Sequence, residues 1–273
     1  MQTSYAFVNQ QLVPFDAASI SIADLGLLRG YGVFDFFRLV AGQPFYFDAH
    51  WARLQHSASL LHLPVPFSRA ECLDMVAELY RLHSLSHAGI RITITGGNSP
   101  DGYLPAKPNS LVTWQPVADL PDVLPAEGIA LWPYPYQRPL PGVKSTDYLM
   151  GIWLQPMAKE KGCHDVLYHW EDRVSECPRS NVFAITQSGE LITPDTGMLE
   201  GITRQRVIKL AQGLVPVSCR TVQLTELCQA SEVWITSTTK GILPVTRIGD
   251  HTIGAGLTGP VAQMLYRKLR EEE

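Results

Sequence analysis

A proline-rich segment without periodicity lies near the middle of the chain and constrains the fold more than any other feature. Residues 116–125, PVADLPDVLP, contain three prolines and show neither a helical nor a strand repeat of apolar residues. Such a segment interrupts regular structure and is typical of a connection between domains. The chain of 273 residues is long enough for two modest domains. We therefore predict a small N-terminal domain over residues 1–117, a linker over 118–125 and a larger C-terminal domain over 126–273.

The apolar pattern changes its period along the chain, which predicts both strands and helices in each half. Residues 89–95 alternate with period two and end at a Gly-Gly pair, so they indicate a strand. Residues 48–61 and the stretch after Ser68 have apolar residues at helical spacing. Further strands are predicted at residues 5–8, 33–40, 44–47, 111–114, 129–132, 165–168, 181–185 and 232–236, and further helices at 148–161, 203–212 and 260–273. This mixture predicts an α+β fold.

Composition predicts a soluble cytoplasmic protein and argues against several classes of partner. The net charge is −4, from 22 basic and 26 acidic residues without a basic cluster, which argues against nucleic acid. The five cysteines have no metal-ligand spacing, so we expect free thiols and no metal site. No stretch approaches the roughly 20 apolar residues of a membrane span, and the N-terminus does not resemble a signal peptide.

Three motifs carry residues suited to chemistry. Lys144 lies in a Pro/Gly loop that leads into a helix, Glu176 precedes an apolar strand, and Gly201 precedes a helix that starts near Thr203. The backbone N–H groups and positive dipole of a helix start suit a phosphate. Each motif also has an ordinary interpretation. Lys144 alone could be a solvated charge, Glu176 could form a salt bridge with a nearby arginine, and Thr203 could simply cap its helix.

A fourth motif follows the predicted strand at 232–236. Residues 236–241, TSTTKG, combine four hydroxyl groups with a flexible glycine, and they could offer further donors to a phosphate. A turn rich in hydroxyl groups is otherwise common in proteins of any function.

Together the motifs resemble the class IV, or fold type IV, pyridoxal-phosphate enzymes over nearly the whole chain. This family includes branched-chain aminotransferases, D-amino acid transaminases and aminodeoxychorismate lyases. Six segments match family motifs in the family's order, and they are residues 24–35, 51–58, 144–149, 176–183, 199–204 and 237–245. Six ordered matches are specific, whereas any one of them would be weak.

The resemblance implies a two-domain α+β fold, with a small α/β sandwich domain and a larger domain with a pseudo-barrel core, assembled as a homodimer. It implies pyridoxal 5'-phosphate as the cofactor, Lys144 as the catalytic residue that binds it covalently and moves the proton, and Glu176 facing its ring nitrogen. The other implied cofactor contacts are Arg53, the N–H groups of Ile202 and Thr203, and Thr238 at the phosphate, Tyr148 at the phenolate oxygen, and also Leu199 and Ser237.

The resemblance also implies residues that bind the substrates, an amino acid and a 2-oxo acid. Arg29, Tyr31 and Arg91 are predicted to bind carboxylates, and Thr239 and Lys240 are further predicted contacts. Arginine at position 29 resembles the D-amino acid transaminases that have arginine-rich carboxylate sites. This favours D-alanine and D-glutamate, with 2-oxoglutarate as the acceptor. Alternatively, Arg29 points to solvent.

The sequence departs from the family pattern at two places and leaves alternatives open. Asp35 stands where glutamate is usual, and Thr93 stands where better-known D-amino acid transaminases have histidine. The alternatives are a branched-chain L-amino acid aminotransferase, an aminodeoxychorismate lyase and an inactive relative that only binds ligands. The aromatic pocket of the first could come from Tyr31, Phe36 and Trp132.

Overall fold

The computed structural model describes residues 4–83 and 87–273. The chain divides into two compact units. The first unit comprises residues 1–119 together with 143–147, and the second comprises residues 120–142 together with 148–273. Among the helices in the described ranges, none is both long enough and apolar enough to cross a membrane.

The first unit contains a six-stranded sheet in which all neighbouring strands are antiparallel. Its strands are β1 (Tyr5–Val8), β2 (Gln11–Pro14), β3 (Gly32–Val40), β4 (Gln43–Pro44), β5 (His87–Thr95) and β6 (Ser110–Pro116), in the order β2-β1-β6-β5-β3-β4. Its helices are α1 (Leu25–Arg29), α2 (Phe47–Leu60) and α3 (Arg69–His83), and a 3-10 turn spans Phe15–Ala17.

Side chains alternate between the two faces of this sheet along each strand. The side chains on one face pack against α2 and α3 and form the core of the unit. In β5, Ile90, Ile92 and Ile94 are buried in that core. Because successive side chains of a strand point to opposite faces, Arg91 lies on the other face of the sheet. In β3 the same alternation places Asp35 on the core side, between Val33 and Phe37.

The second unit contains a nine-stranded mixed sheet. Its strands are β7 (Ile129–Pro135), β8 (Asp165–Trp170), β9 (Arg173–Val174), β10 (Asn181–Ile185), β11 (Leu191–Thr193), β12 (Val217–Cys219), β13 (Glu232–Ser237), β14 (Gly241–Ile248) and β15 (His251–Thr252). The order is β12-β11-β10-β13-β14-β7-β8-β9, and β15 pairs with β14. The helices are α4 (Leu149–Glu160), α5 (Ile202–Ala211), α6 (Leu224–Cys228) and α7 (Pro260–Arg270).

The central strands β10 and β13 contain continuous apolar runs because both of their faces are covered. In β10, Val182 and Ala184 belong to one apolar cluster, whereas Phe183 and Ile185 belong to another that includes residues of α5 and α7. A strand covered on both faces has a continuous apolar run instead of an alternating pattern. This explains why residues 181–185 and 232–236 were recognisable as strands from sequence.

The predicted elements agree with the structure except at some boundaries. The hairpin partner predicted at residues 44–47 is shorter, because β4 ends at Pro44. Tyr46 adopts a left-handed conformation, with φ of 53°, and α2 begins at the next residue. The five-residue helices α1 and α6 and the short strands β2, β9, β11, β12 and β15 were not predicted, and neither was the longer strand β14.

The division into units differs from the predicted domains in two respects. The proposed linker is partly core, since Leu120 and Leu124 are buried among apolar residues of the second unit. Residues 143–147 belong to the first unit although they lie within the predicted C-terminal domain. Hydrogen bonds to β3 and α2 hold this segment, and local sequence could not reveal them.

Candidate active site

Lys144 lies in residues 143–147, which run beside β3 in the first unit. Its carbonyl accepts a hydrogen bond of 2.9 Å from the Phe34 N–H, and its own N–H donates to Ser57 Oγ of α2 at 3.1 Å. One residue before it, Val143 is buried in the core. Two residues after it, the Thr146 N–H donates to the Gly32 carbonyl at 2.9 Å. The backbone of Lys144 is therefore fixed from both sides.

Two cationic groups lie at the ring of Phe34. The Lys144 amine nitrogen is 4.7 Å from the ring centroid, and the central guanidinium carbon of Arg91 is 3.7 Å from it. Such distances correspond to cation–π contacts. The structure thus places at one ring two of the predicted site residues, Lys144 and Arg91.

Arg53 belongs to a buried polar cluster that also contains Asp35 and His50. Arg53 donates from Nε to Asp35 Oδ2 and from Nη2 to Asp35 Oδ1, both at 2.8 Å. His50 lies three residues earlier in α2, and its Nδ1 is 2.7 Å from Asp35 Oδ1. A carboxylate only accepts hydrogen bonds, so this nitrogen is the donor.

The cluster shifts the pKa values of its members. Burial raises the pKa of the Asp35 carboxyl, but the charge of Arg53 and hydrogen bonds from His50 and Arg53 outweigh it and hold the pKa well below its usual range. Burial lowers the pKa of His50, against its hydrogen bond to Asp35, which raises it. The cluster is therefore a carboxylate and a guanidinium next to a histidine that is neutral at pH 7.

Arg29 and Tyr31 lie at the end of α1, whose start is firmly anchored. The buried Asp24 carboxylate accepts hydrogen bonds from Gly26 N–H, Thr95 Oγ1 and Asn109 Nδ2 at 2.6, 2.6 and 2.7 Å. Arg29 is exposed and donates to the Leu28 carbonyl at 3.0 Å. The Tyr31 hydroxyl donates to the Leu61 carbonyl at 2.6 Å.

Glu176 is buried in the second unit, and both of its carboxylate oxygens are positioned. Oε1 accepts from Arg138 Nε at 2.7 Å, and Oε2 accepts from the Leu199 N–H at 3.0 Å. Arg138 also donates to the Pro141 carbonyl at 2.6 Å. The sequence predicted a salt bridge as one interpretation of Glu176, but it did not identify Arg138, which has no motif of its own.

The start of α5 has the features that a phosphate requires. In the described part of the chain no side chain caps this helix, and it begins directly after Gly201. A Cβ atom at Gly201 would lie 2.0 Å from Asn181 Oδ1, so a larger residue here would displace the Asn181 side chain. Asn181 in turn donates to the Leu199 carbonyl at 2.8 Å. The N–H groups of Ile202 and Thr203 are thus presented at a helix start.

Four predicted residues lie at the end of β13 and in the turn to β14, and they are Ser237, Thr238, Thr239 and Lys240. Ser237 Oγ is buried without a hydrogen-bond partner among the described residues. Buried hydroxyls are normally paired, so this atom fits a group that accepts a hydrogen bond, such as a phosphate. Thr238 is half-buried and Thr239 exposed. Lys240 Nζ lies 3.6 Å from Asp165 Oδ2 and 3.4 Å from Ser180 Oγ, so its contacts here are with the protein.

Tyr148 lies at the start of α4. Tyr148 is half-buried, and its carbonyl accepts from Ile152 N–H at 2.9 Å in the first turn of α4. Across residues 4–83 and 87–273, no group of three or more His, Cys, Asp or Glu side chains is arranged to hold a metal ion.

Comparison with known proteins identifies a class of enzyme. The chain is 32% identical to a putative branched-chain-amino-acid aminotransferase of Methanocaldococcus jannaschii, over 97% of this chain and 95% of the relative. It is 28% identical to a D-alanine aminotransferase of Listeria monocytogenes, over 97% and 94%. It is 30% identical to an aminodeoxychorismate lyase of Bacillus subtilis, over 96% and 93%.

Solved structures give the same class. The branched-chain amino acid aminotransferase of Escherichia coli matches with a TM-score of 0.90 and 26% identity, over 98% of this chain and 94% of that one. The branched-chain aminotransferase of Thermoproteus uzoniensis, solved with norvaline, has a TM-score of 0.87, with 25% identity over 98% and 94%. The family model described as Amino-transferase class IV matches residues 32–248, and the chain therefore belongs to the class IV aminotransferases.

Family membership confirms the predicted family, fold type IV and the cofactor. Class IV aminotransferases depend on pyridoxal phosphate, and one similar branched-chain enzyme has been solved with pyridoxamine 5'-phosphate. The chain is therefore a pyridoxal-phosphate-dependent transferase that acts on amino acids and 2-oxo acids. The donor set fits this cofactor, since α5 starts without a side-chain cap and Ser237 Oγ lacks a partner among the described residues.

Proposed function

We propose that the chain is a transaminase in which Lys144 binds the cofactor covalently and moves a proton at the α-carbon of the substrate. The cofactor supplies an electron-withdrawing ring that stabilises negative charge at this carbon. Hydrogen bonds to its N–H and carbonyl fix the backbone of Lys144. The side-chain amine therefore extends from a fixed point of the backbone, and it acts first as a base and then as an acid.

The other predicted residues hold and tune the cofactor in this proposal. Glu176 faces the ring nitrogen and keeps it protonated, while Arg138 and the Leu199 N–H orient the carboxylate. Tyr148 donates to the phenolate oxygen. The phosphate is bound by Arg53, by the N–H groups of Ile202 and Thr203, and by the hydroxyls of Ser237 and Thr238.

For the substrates we propose D-alanine or D-glutamate as the amino donor and 2-oxoglutarate as the acceptor. The observation that carries this proposal is the position of Arg91, whose guanidinium shares the Phe34 ring with the Lys144 amine. A guanidinium binds a carboxylate in fork geometry. Arg91 therefore binds a carboxylate close to the reacting amine, and Arg29 supplies a further carboxylate contact. The Tyr31 hydroxyl donates its single hydrogen to the Leu61 carbonyl, so it binds a carboxylate in this proposal only after leaving that partner. The similarity to D-alanine aminotransferases supports D-amino acids.

The second candidate is transamination of branched-chain L-amino acids. It is supported by the similarity to branched-chain enzymes and by the Phe34 ring beside Lys144, which offers apolar surface to an aliphatic side chain. Phe36 was predicted for this pocket, but its ring packs against Gly89 and leaves no room for a Cβ atom there. The aminodeoxychorismate lyase activity is a third candidate, supported by similarity alone.

A panel of four amino compounds tests the substrate proposal. We expect the purified enzyme to transaminate D-alanine with 2-oxoglutarate, and D-glutamate with pyruvate, faster than it transaminates L-leucine with 2-oxoglutarate. It should release no pyruvate from aminodeoxychorismate. The measurement is kcat/KM for each compound. Rapid transamination of L-leucine without turnover of D-alanine would reject the D-amino acid proposal and favour the second candidate.

Variants of Arg91 and Arg29 test whether these two residues bind the carboxylate of a substrate. Arg91→Gln should raise KM for 2-oxoglutarate, because it removes a charge-assisted contact with a carboxylate. Arg69→Gln is the matched control, since Arg69 is exposed and pairs with Asp48. Equal kinetics for the two variants would remove Arg91 from the substrate site. An unchanged KM in Arg29→Ala would do the same for Arg29.

We further propose that the enzyme is a homodimer, as its family resemblance implies. In α4 the residues Leu149, Ile152 and Trp153 are exposed although they are large and apolar. Their spacing of three and four residues places them on one helix face, which suits a subunit interface. Light scattering should give twice the monomer mass, and Trp153→Glu should shift this mass toward the monomer. A monomeric wild type at micromolar concentration would contradict the proposal. The cytoplasmic location remains a prediction.

A further inference from the structure

Asp35, His50 and Arg53 form a cluster of buried polar side chains. One arginine alone could bind a phosphate, so the presence of the other two residues needs an explanation. Asp35 lies on the core face of β3, among apolar side chains, with 1% of its surface exposed. A carboxylate in such a place is costly unless hydrogen bonds and an opposite charge compensate it. The arrangement of its contacts indicates what this carboxylate does.

The contacts connect the arginine to the backbone of the sheet. Asp35 Oδ1 accepts from the Phe36 N–H at 2.7 Å, which ties the carboxylate to β3 itself. The two bonds from Arg53 reach both oxygens of that carboxylate through its Nε–Nη2 edge. Two parallel bonds fix the plane of a guanidinium, whereas a single bond leaves it free to rotate. The contact with His50 Nδ1 fixes the same carboxylate from α2.

We propose that Asp35 is a positioning residue that orients the Arg53 guanidinium toward the phosphate of the cofactor, with His50 supporting its carboxylate. This inference rests on the proposed role of Arg53 in binding that phosphate. The Nε–Nη2 edge contacts Asp35, and the Nη1–Nη2 edge is the part of the fork suited to the phosphate oxygens. Asp35 itself does not touch the cofactor.

The charge of Asp35 makes the direction of its effect diagnostic. A carboxylate near an anionic cofactor repels it, so a purely electrostatic role predicts tighter binding when the charge is removed. A positioning role predicts weaker binding, because the guanidinium loses its fixed plane. The two roles therefore have opposite signs in the same measurement.

The test compares binding of pyridoxal phosphate and of pyridoxal, which lacks the phosphate, to the full chain freed of cofactor. In Asp35→Asn we expect the affinity for pyridoxal phosphate to fall about 10- to 100-fold, the range for loss of charged hydrogen bonds. The affinity for pyridoxal should change less than about twofold, since the phosphate is the only part of the cofactor that Arg53 binds in the proposed site. Absorbance titration gives both constants. Tighter binding of pyridoxal phosphate, or equal losses for both compounds, would overturn the inference.

The matched control is Asp24→Asn. Asp24 is also fully buried in the first unit, but it accepts from Gly26, Thr95 and Asn109 instead of an arginine. The variant Asp24→Asn should lower the thermal midpoint of unfolding. Its ratio of the affinity for pyridoxal phosphate to the affinity for pyridoxal should equal that of the wild type. If Asp35→Asn does not fold, the variant His50→Asn is tested in its place. We expect it to lower the affinity for pyridoxal phosphate by a smaller factor and to leave the affinity for pyridoxal unchanged. Unchanged selectivity in His50→Asn would then contradict the inference.

Arg53→Gln separates failure of this inference from failure of the proposed function. If Arg53→Gln binds pyridoxal phosphate as the wild type does, the proposed phosphate site is wrong. If Arg53→Gln weakens binding but Asp35→Asn does not, only the positioning role is wrong. If Asp35 acts through Arg53, adding Asp35→Asn to Arg53→Gln should cause no further loss of affinity for pyridoxal phosphate.

Discussion

Replacement of Lys144 by alanine is expected to slow transamination by at least about 10²–10⁴-fold, the usual contribution of a positioned general acid or base. Loss of the covalent bond to the cofactor adds to this effect. In the wild type, borohydride should fix the cofactor to a peptide that contains Lys144, and mass spectrometry of the digest would identify it. The backbone of Lys144 is held by Phe34 and Ser57, so the variant should keep its fold.

Rescue by a small amine tests whether the missing group is the amine itself. Methylamine should restore part of the activity of Lys144→Ala, since it supplies a base to the space that the side chain filled. Lys161→Ala is the control variant, because Lys161 is exposed and lies 5.2 Å from the Trp132 ring. Wild-type rates in Lys144→Ala, or borohydride labelling of another peptide, would reject Lys144 as the covalent residue.

Local patterns were sufficient to predict most of the fold and to identify candidate residues for the site. Period two in residues 89–95 predicted β5, and the same alternation separates Arg91 from the buried isoleucines. The apolar runs of β10 and β13 were visible because both faces of these strands are covered. Helix α1 was missed because five residues are too few for a periodic pattern.

Contacts between distant parts of the chain could not be predicted in the same way. The segment that carries Lys144 joins the first unit through a hydrogen bond to Ser57, which is 87 residues away in sequence. Arg138 pairs with Glu176 across 38 residues, and nothing in its own Pro-rich surroundings marks it. Asp35 was noticed only as a departure from the family's glutamate. Its partners became evident when β3 and α2 were seen side by side.

Replacement of Glu176 by glutamine is expected to lower kcat about 10- to 1000-fold, the second largest effect. An opposite charge close to an ionisable group changes its pKa by about 1–3 units, so loss of the carboxylate should leave the ring nitrogen of the cofactor largely unprotonated. The ring then withdraws electrons less strongly from the α-carbon of the substrate. Single-turnover kinetics measure this step directly, and Glu176→Asp, which keeps the charge, should lose less.

The control for Glu176→Gln must account for Arg138, because the variant leaves this arginine without its carboxylate. Breaking a buried ion pair from one side destabilises a protein by about 3–5 kcal/mol, which could lower activity by unfolding alone. The double variant Glu176→Gln/Arg138→Gln removes both charges and should regain thermal stability but not kcat. Glu200→Gln is the nearby control, since its side chain is 56% exposed and pairs with Arg204. Recovery of kcat together with stability would show that Glu176 acts on the fold and not on the cofactor.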